Sequence, residues 1–101
     1  MSYFVFTEEN EHYMDEGARR RHGEYETREE ALAAARMIVD SDLRAMYRPG
    51  MSAESLCLSY RRYGTDAYVV PDDEQDRFSA WDYAGDRSRE ICRAGRGNDE
   101  G

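Results

Sequence analysis

The chain has 101 residues, 22 acidic and 14 basic, and a net charge of −8. That length fits one domain, and the acidic balance argues against nucleic acid and anionic membranes as direct partners, because both need a positive face. With four Leu, two Ile, four Val and three Phe, branched aliphatics cannot fill a core alone, so the eight Tyr, five Met and Trp81 must contribute, with tyrosine hydroxyls reaching partners at its rim.

Tyr3-Phe4-Val5-Phe6 opens the chain as a β-prone run. Its aromatics fall on both alternating sets, which predicts one face on the core and the other partly covered. Glu8, Glu9 and Asn10 read as a polar break, and Glu11 to Asp15 as a strand returning to complete a hairpin. Gly17 to His22 reads as a basic loop or an edge extension. Gly23 to Glu26 alternates polar and aromatic, as a short third strand or as the approach to a helix.

From Thr27 to Tyr47 the period is helical. Leu32, Ala35, Val39, Leu43 and Met46 recur at spacings of three and four, widened by Ala31, Ala34 and Ile38. Thr27 and Glu30 have capping-box spacing, and Glu29 and Glu30 complement the helix dipole. Pro49-Gly50 ends the segment.

A second helix starts at the Ser52 cap, with Leu56, Tyr60 and Tyr63 as its stripe and Gly64 as its stop. Ala67 to Val70 reads as a strand closed by Pro71, and Asp72 to Asp76 as an acidic, solvated loop. The last helix begins at Ser79, where Phe78 and Tyr83 have hydrophobic-staple spacing. Trp81, Ala84, Ser88 and Ile91 trace its buried face.

The order β-β-(β)-α-α-β-α predicts an α+β fold: a small, mostly antiparallel sheet with helices packed on one face. Residues 1–93 would form a single domain and 94–101 a disordered tail. No run of about 18 apolar residues and no charged-then-apolar leader stands in the sequence, which predicts no membrane partner and a cytoplasmic setting. Cys57 and Cys92, without CxxC spacing, would then be reduced and act as small hydrophobes.

His12, Asp15, Glu16 and His22 carry the one set of side chains with metal-ligand chemistry. The spacing is generic, and on one strand His12 and Asp15 face opposite ways. A polar hairpin face accounts for them as well, and neither a metal nor another cofactor is expected. Counted from Asp72, an EF-hand would need Gly and Glu where Arg77 and Tyr83 stand, so that reading fails. Arg19, Arg20 and Arg21 could grip a phosphate or an acidic peptide, although the acids crowded around them offer internal neutralisation. Phe78, Trp81 and Tyr83 read either as a peptide-binding surface or as a staple with a core anchor. No GxSxG, HExxH, GxGxxG or GxxxxGK[ST] pattern is present, and Cys57 beside an apolar stripe would be unreactive. An enzyme is therefore not the expected class.

With YFVFTEEN, EHYMDE, GEYETREEALAAARMIVD, RPGMSAESL, YGTDAYVVP and FSAWDYA in view, the chain resembles a family of small uncharacterised bacterial α+β proteins, from the first strand to about Cys92. The resemblance implies a bacterial, cytosolic setting and transfers no site residue. The function expected is a small acidic, non-enzymatic module that binds or regulates another protein. One alternative is a nucleic-acid mimic that inhibits a basic DNA- or RNA-binding enzyme, using Glu8, Glu9, Glu11, Asp15, Glu16 and Asp72, Asp73, Glu74, Asp76. Another is a small enzyme or metal protein around His12. An edge of the N-terminal hairpin could also pair with a second copy.

Overall fold

The computed structural model describes residues 2–9 and 20–99, with side chains through Ala94. Among them the order is β1 (Tyr3–Glu9), β2 (Arg20–Tyr25), α1 (Arg28–Met46), α2 (Ala53–Tyr63), β3 (Thr65–Val70) and α3 (Ala80–Asp99). The strands form one antiparallel sheet in the order β2-β1-β3, with the helices packed on one face. No helix among the described residues is long and apolar enough to cross a membrane.

β1 is the central strand, and it is longer than its aromatic run. Val5 lies opposite Val69, and Thr7 opposite Ala67, on the inner face toward α1. Phe4 and Phe6 take the outer face, where Phe6 stacks on Tyr68 with ring centroids 5.8 Å apart. The expected break at Glu8 and Glu9 does not occur. Both continue β1, opposite Asp66 and Thr65, because β3 supplies ladder partners that override the weak strand preference of glutamate. The strand expected over 11–15 lies outside the described residues.

Of the two readings for 17–22, a basic loop or an edge extension, the described half takes the second. Arg20, Arg21 and His22 are strand residues, joined to Gly23, Glu24 and Tyr25 in β2. The register slips between Val5 and Phe6: Val5 faces Gly23, while Phe6 faces Arg21. His22 is thus the extra residue of a β-bulge. Without it, Arg21 would share the inner face with Tyr25. With it, Arg21 is carried to the outer face, 5.7 Å from the Phe4 ring centroid.

α1 forms where its period places it. Thr27 Oγ1 accepts the Glu30 N–H at 3.2 Å, and the Thr27 hydroxyl donates to the Glu30 carboxylate. Its buried row is Ala31, Ala35, Val39 and Leu43, each four residues from the last. The two alanines let the first half approach the sheet closely. Val39 and Leu43 in the second half each contribute roughly 2 kcal/mol by leaving water, packed with Leu56 and Tyr60 of α2 and Ala80 and Ala84 of α3. Phe78 touches both the sheet-side and the helix-side cores and joins them.

α2 and α3 follow the same four-residue row, which corrects two assignments. On α2 the row runs Leu56, Tyr60 and on to the buried Gly64, leaving Tyr63 68% exposed. On α3 it runs Ala80, Ala84, Ser88, Cys92, so Trp81 turns outward. Helices that interdigitate along i, i+4 ridges bury this row in preference to a mixed three-and-four stripe. Both caps hold: Ser52 accepts from Ser55 N–H and Ser79 from Asp82 N–H. Phe78 and Tyr83 form the staple, with ring centroids 5.9 Å apart. α3 continues to Asp99, into the stretch expected as a tail.

The acidic loop after Pro71 is not simply solvated. Asp72 accepts the N–H groups of Asp73 and Phe78 at 2.8 Å each, and the Arg28 guanidinium at 2.8–2.9 Å. Burial alone would raise its pKa, but these donors outweigh it and hold the carboxyl below its ordinary value. The loop is thereby tied to the start of α1.

Candidate functional site

Beside its buried row, α1 presents a second stripe: Glu30, Ala33, Ala34, Met37, Ile38 and Ser41, again at spacings of three and four. This stripe overlooks the part of the inner sheet face that α1 does not cover, because the helix lies mainly over β3 and β1 and touches β2 more lightly. Between them runs an open groove of about 820 Å³, completed by Thr7, His22, Tyr25, Asp42 and Thr65. Its floor is apolar, from Ala33, Ala34, Met37 and Ile38. Its rim carries an imidazole, two carboxylates and three hydroxyls besides the Tyr25 phenol.

Sequence and fold explain each wall. The bulge makes His22 the surplus residue of β2, and it lies at the groove rather than in the strand-pairing register. Thr65 is fixed from two sides: its N–H donates to Asp42 Oδ2 at 2.6 Å, and its carbonyl accepts the Tyr60 hydroxyl at 2.7 Å. Burial pushes the Asp42 carboxyl above its ordinary pKa, and the Thr65 N–H pulls the other way. Met37 is 70% exposed, the most exposed large apolar side chain described. The chemistry offered is a seat for apolar side chains with hydrogen-bonding groups around it.

Of the metal candidates, His12, Asp15 and Glu16 lie outside the described residues, and His22 is exposed on β2. Among the described residues no three His, Cys, Asp or Glu side chains converge as a metal site requires. Arg19 lies outside the described residues as well. Arg20 and Arg21 are exposed and split between the two faces, Arg20 opposite Thr7 and Arg21 opposite Phe6. Phe78 and Tyr83 turn into the core, where the Tyr83 hydroxyl donates to Asp40 at 2.9 Å. Trp81 alone of that trio faces outward, with the Arg61 guanidinium 5.5 Å from its ring centroid.

The acids named for nucleic-acid mimicry are partly engaged as well. Asp72 and Asp76 both pair with Arg28. Glu8 stands opposite Asp66, and burial together with that like charge raises the Asp66 pKa.

The groove itself was absent from the sequence reading. Its one local signal is Met37, an apolar residue on the outward side of an otherwise amphipathic helix. Asp42 and Thr65 meet only through the fold. No family model, no curated protein and no solved structure matches the chain.

Proposed function

We propose that this protein is a non-enzymatic binding module that takes a segment of another protein into the groove between α1 and the uncovered inner face of β2 and β1. The observation that carries this reading is the open apolar floor, with Met37 70% exposed above Ala33, Ala34 and Ile38. Elsewhere on α1 the apolar side chains larger than alanine are buried or half-buried. Single exposed apolar residues are ordinary, but exposed Ala33 and Met37 beside half-buried Ala34 and Ile38, in a groove with a polar rim, have the composition of a recognition site. A partner's apolar side chains would rest on the floor. Its main chain would find donors and acceptors in Ser41, Thr7, His22 and Glu30. A cytoplasmic setting accords with free Cys57 and Cys92.

Selection of a random peptide library on the purified protein tests this. Enriched peptides should carry large apolar residues and lose at least about tenfold in affinity, about 1.4 kcal/mol, on Ala33→Glu or Met37→Glu. Leu58→Glu, an exposed apolar position on α2, should leave binding unchanged. Peptides indifferent to both groove substitutions would overturn the reading.

A further inference from the structure

We infer that the outer edge of β2 pairs antiparallel with β2 of a second copy, in the register that sets Arg21 against Glu24 of its partner. β2 is a terminal strand of the sheet, and among the described residues no strand lies on its far side. Such an edge presents unpaired backbone donors and acceptors. What identifies the occupant is the charge order of the strand, Arg20-Arg21-His22-Gly23-Glu24-Tyr25. Two antiparallel copies related by a two-fold axis place residue 21 opposite residue 24 twice, an arginine facing a glutamate each time. Arg20 then faces Tyr25, and His22 faces Gly23.

In a regular strand this register would be excluded. Residues 21 and 24 have opposite parity and would lie on opposite faces. The bulge removes the obstacle. Glu24 faces Phe4 and Arg21 faces Phe6, so both are on the outer face, while Tyr25 and Arg20, opposite Tyr3 and Thr7, are both on the inner one. A two-fold axis normal to the sheet then keeps each face continuous, and the surplus His22 of each strand is set against Gly23 of the other. Arg21 and Glu24 are exposed, and neither is in an ion pair among the described residues.

The opposite edge lacks this property. β3, Thr65–Val70, carries Asp66 and no basic residue with which a second copy could pair. The assembly is thus a six-stranded sheet, β3-β1-β2-β2-β1-β3, with both α1 helices on one face. Because His22 and Tyr25 of β2 line the groove, pairing brings the two grooves side by side across the axis. The inference does not rest on the proposed ligand: a dimer without peptide binding, or the reverse, separates the two.

Sedimentation equilibrium over a concentration series, up to the highest soluble concentration, provides the test. The full-length protein should reach a dimer whose dissociation constant rises with salt. Arg21→Glu and Glu24→Arg should each weaken it about tenfold, by turning two attractions into like-charge oppositions. The double exchange, Arg21→Glu with Glu24→Arg, should restore it. Both positions are exposed, so the far-UV spectrum should not change. A protein that stays monomeric throughout overturns the inference and leaves the edge to other partners. So does a dimer that both single reversals leave intact, or one that the double exchange fails to restore.

Discussion

Asp42 on α1 accepts the backbone N–H of Thr65, the first residue of β3, at 2.6 Å. One carboxylate thereby fixes where the third strand starts relative to the helix lying over it. Tyr60 completes the arrangement by donating to the carbonyl of the same threonine. These two contacts set the wall of the groove. Asp42→Ala should therefore cost about 1–3 kcal/mol, the penalty for leaving a half-buried N–H unpaired. Asp42→Asn, which keeps an acceptor in place, should cost clearly less. Urea denaturation of the two variants measures the difference.

Asp66 stands opposite Glu8 across the sheet, and burial together with that charge raises its pKa. A folded-state pKa above the unfolded value means the native state holds its proton more tightly. The ionised group therefore costs stability above the folded pKa, and the cost disappears as pH falls toward the unfolded value near ~3.9. Asp66→Asn should raise the melting temperature at pH 7 and give no advantage near about pH 4. A melting-temperature series for wild type and variant checks both ends.

Asp72 behaves oppositely. Its carboxyl is held below the ordinary value despite burial, because two N–H groups and Arg28 favour the charged form. Its contribution is present above the unfolded pKa of ~3.9 and is lost as pH falls through the lower folded value. Asp72→Ala should cost about 2 kcal/mol at pH 7 by stranding the Phe78 and Asp73 donors, and that penalty should shrink under strong acid. Proteolysis between Pro71 and Phe78 should quicken in the variant as the loop comes loose from α1.

Gly64 closes α2 against the ring of Tyr60. A methyl group there would sit 2.7 Å from the Tyr60 carbonyl oxygen, and would also meet the ring carbons. A backbone oxygen cannot yield as the end of a flexible chain can. Gly64→Ala should thus destabilise by about 1–3 kcal/mol, visible as a lower denaturant midpoint with an unchanged slope. Its φ of −81° imposes no left-handed strain, so the effect is one of space alone.

What the sequence made legible was local chemistry. Thr27, Ser52 and Ser79 cap because their hydroxyls reach the N–H three residues on, and Phe78 meets Tyr83 across five positions. The order of elements and the antiparallel sheet followed from such signals. The errors came where the partner lies far along the chain. Glu8 and Glu9 read as a turn until β3 is placed beside them. Tyr63 and Trp81 read as buried because spacings of three and four are equally helical, and only the packing of one helix on another selects the four-residue row. The bulge at His22 has no signature in β2 alone, since it is defined by the register against β1. The groove was illegible for the same reason: it is the space between a helix and the strand it leaves uncovered.

A photo-crosslinking amino acid in place of Met37 reports whether that groove is a docking surface. Irradiation in the native host should yield one discrete adduct carrying a defined segment of another protein. The same probe at Leu58, also an exposed apolar position but on α2, should not trap that segment. Equal labelling from both positions, or none from position 37 while position 58 captures a partner, would show that the groove is not the docking surface.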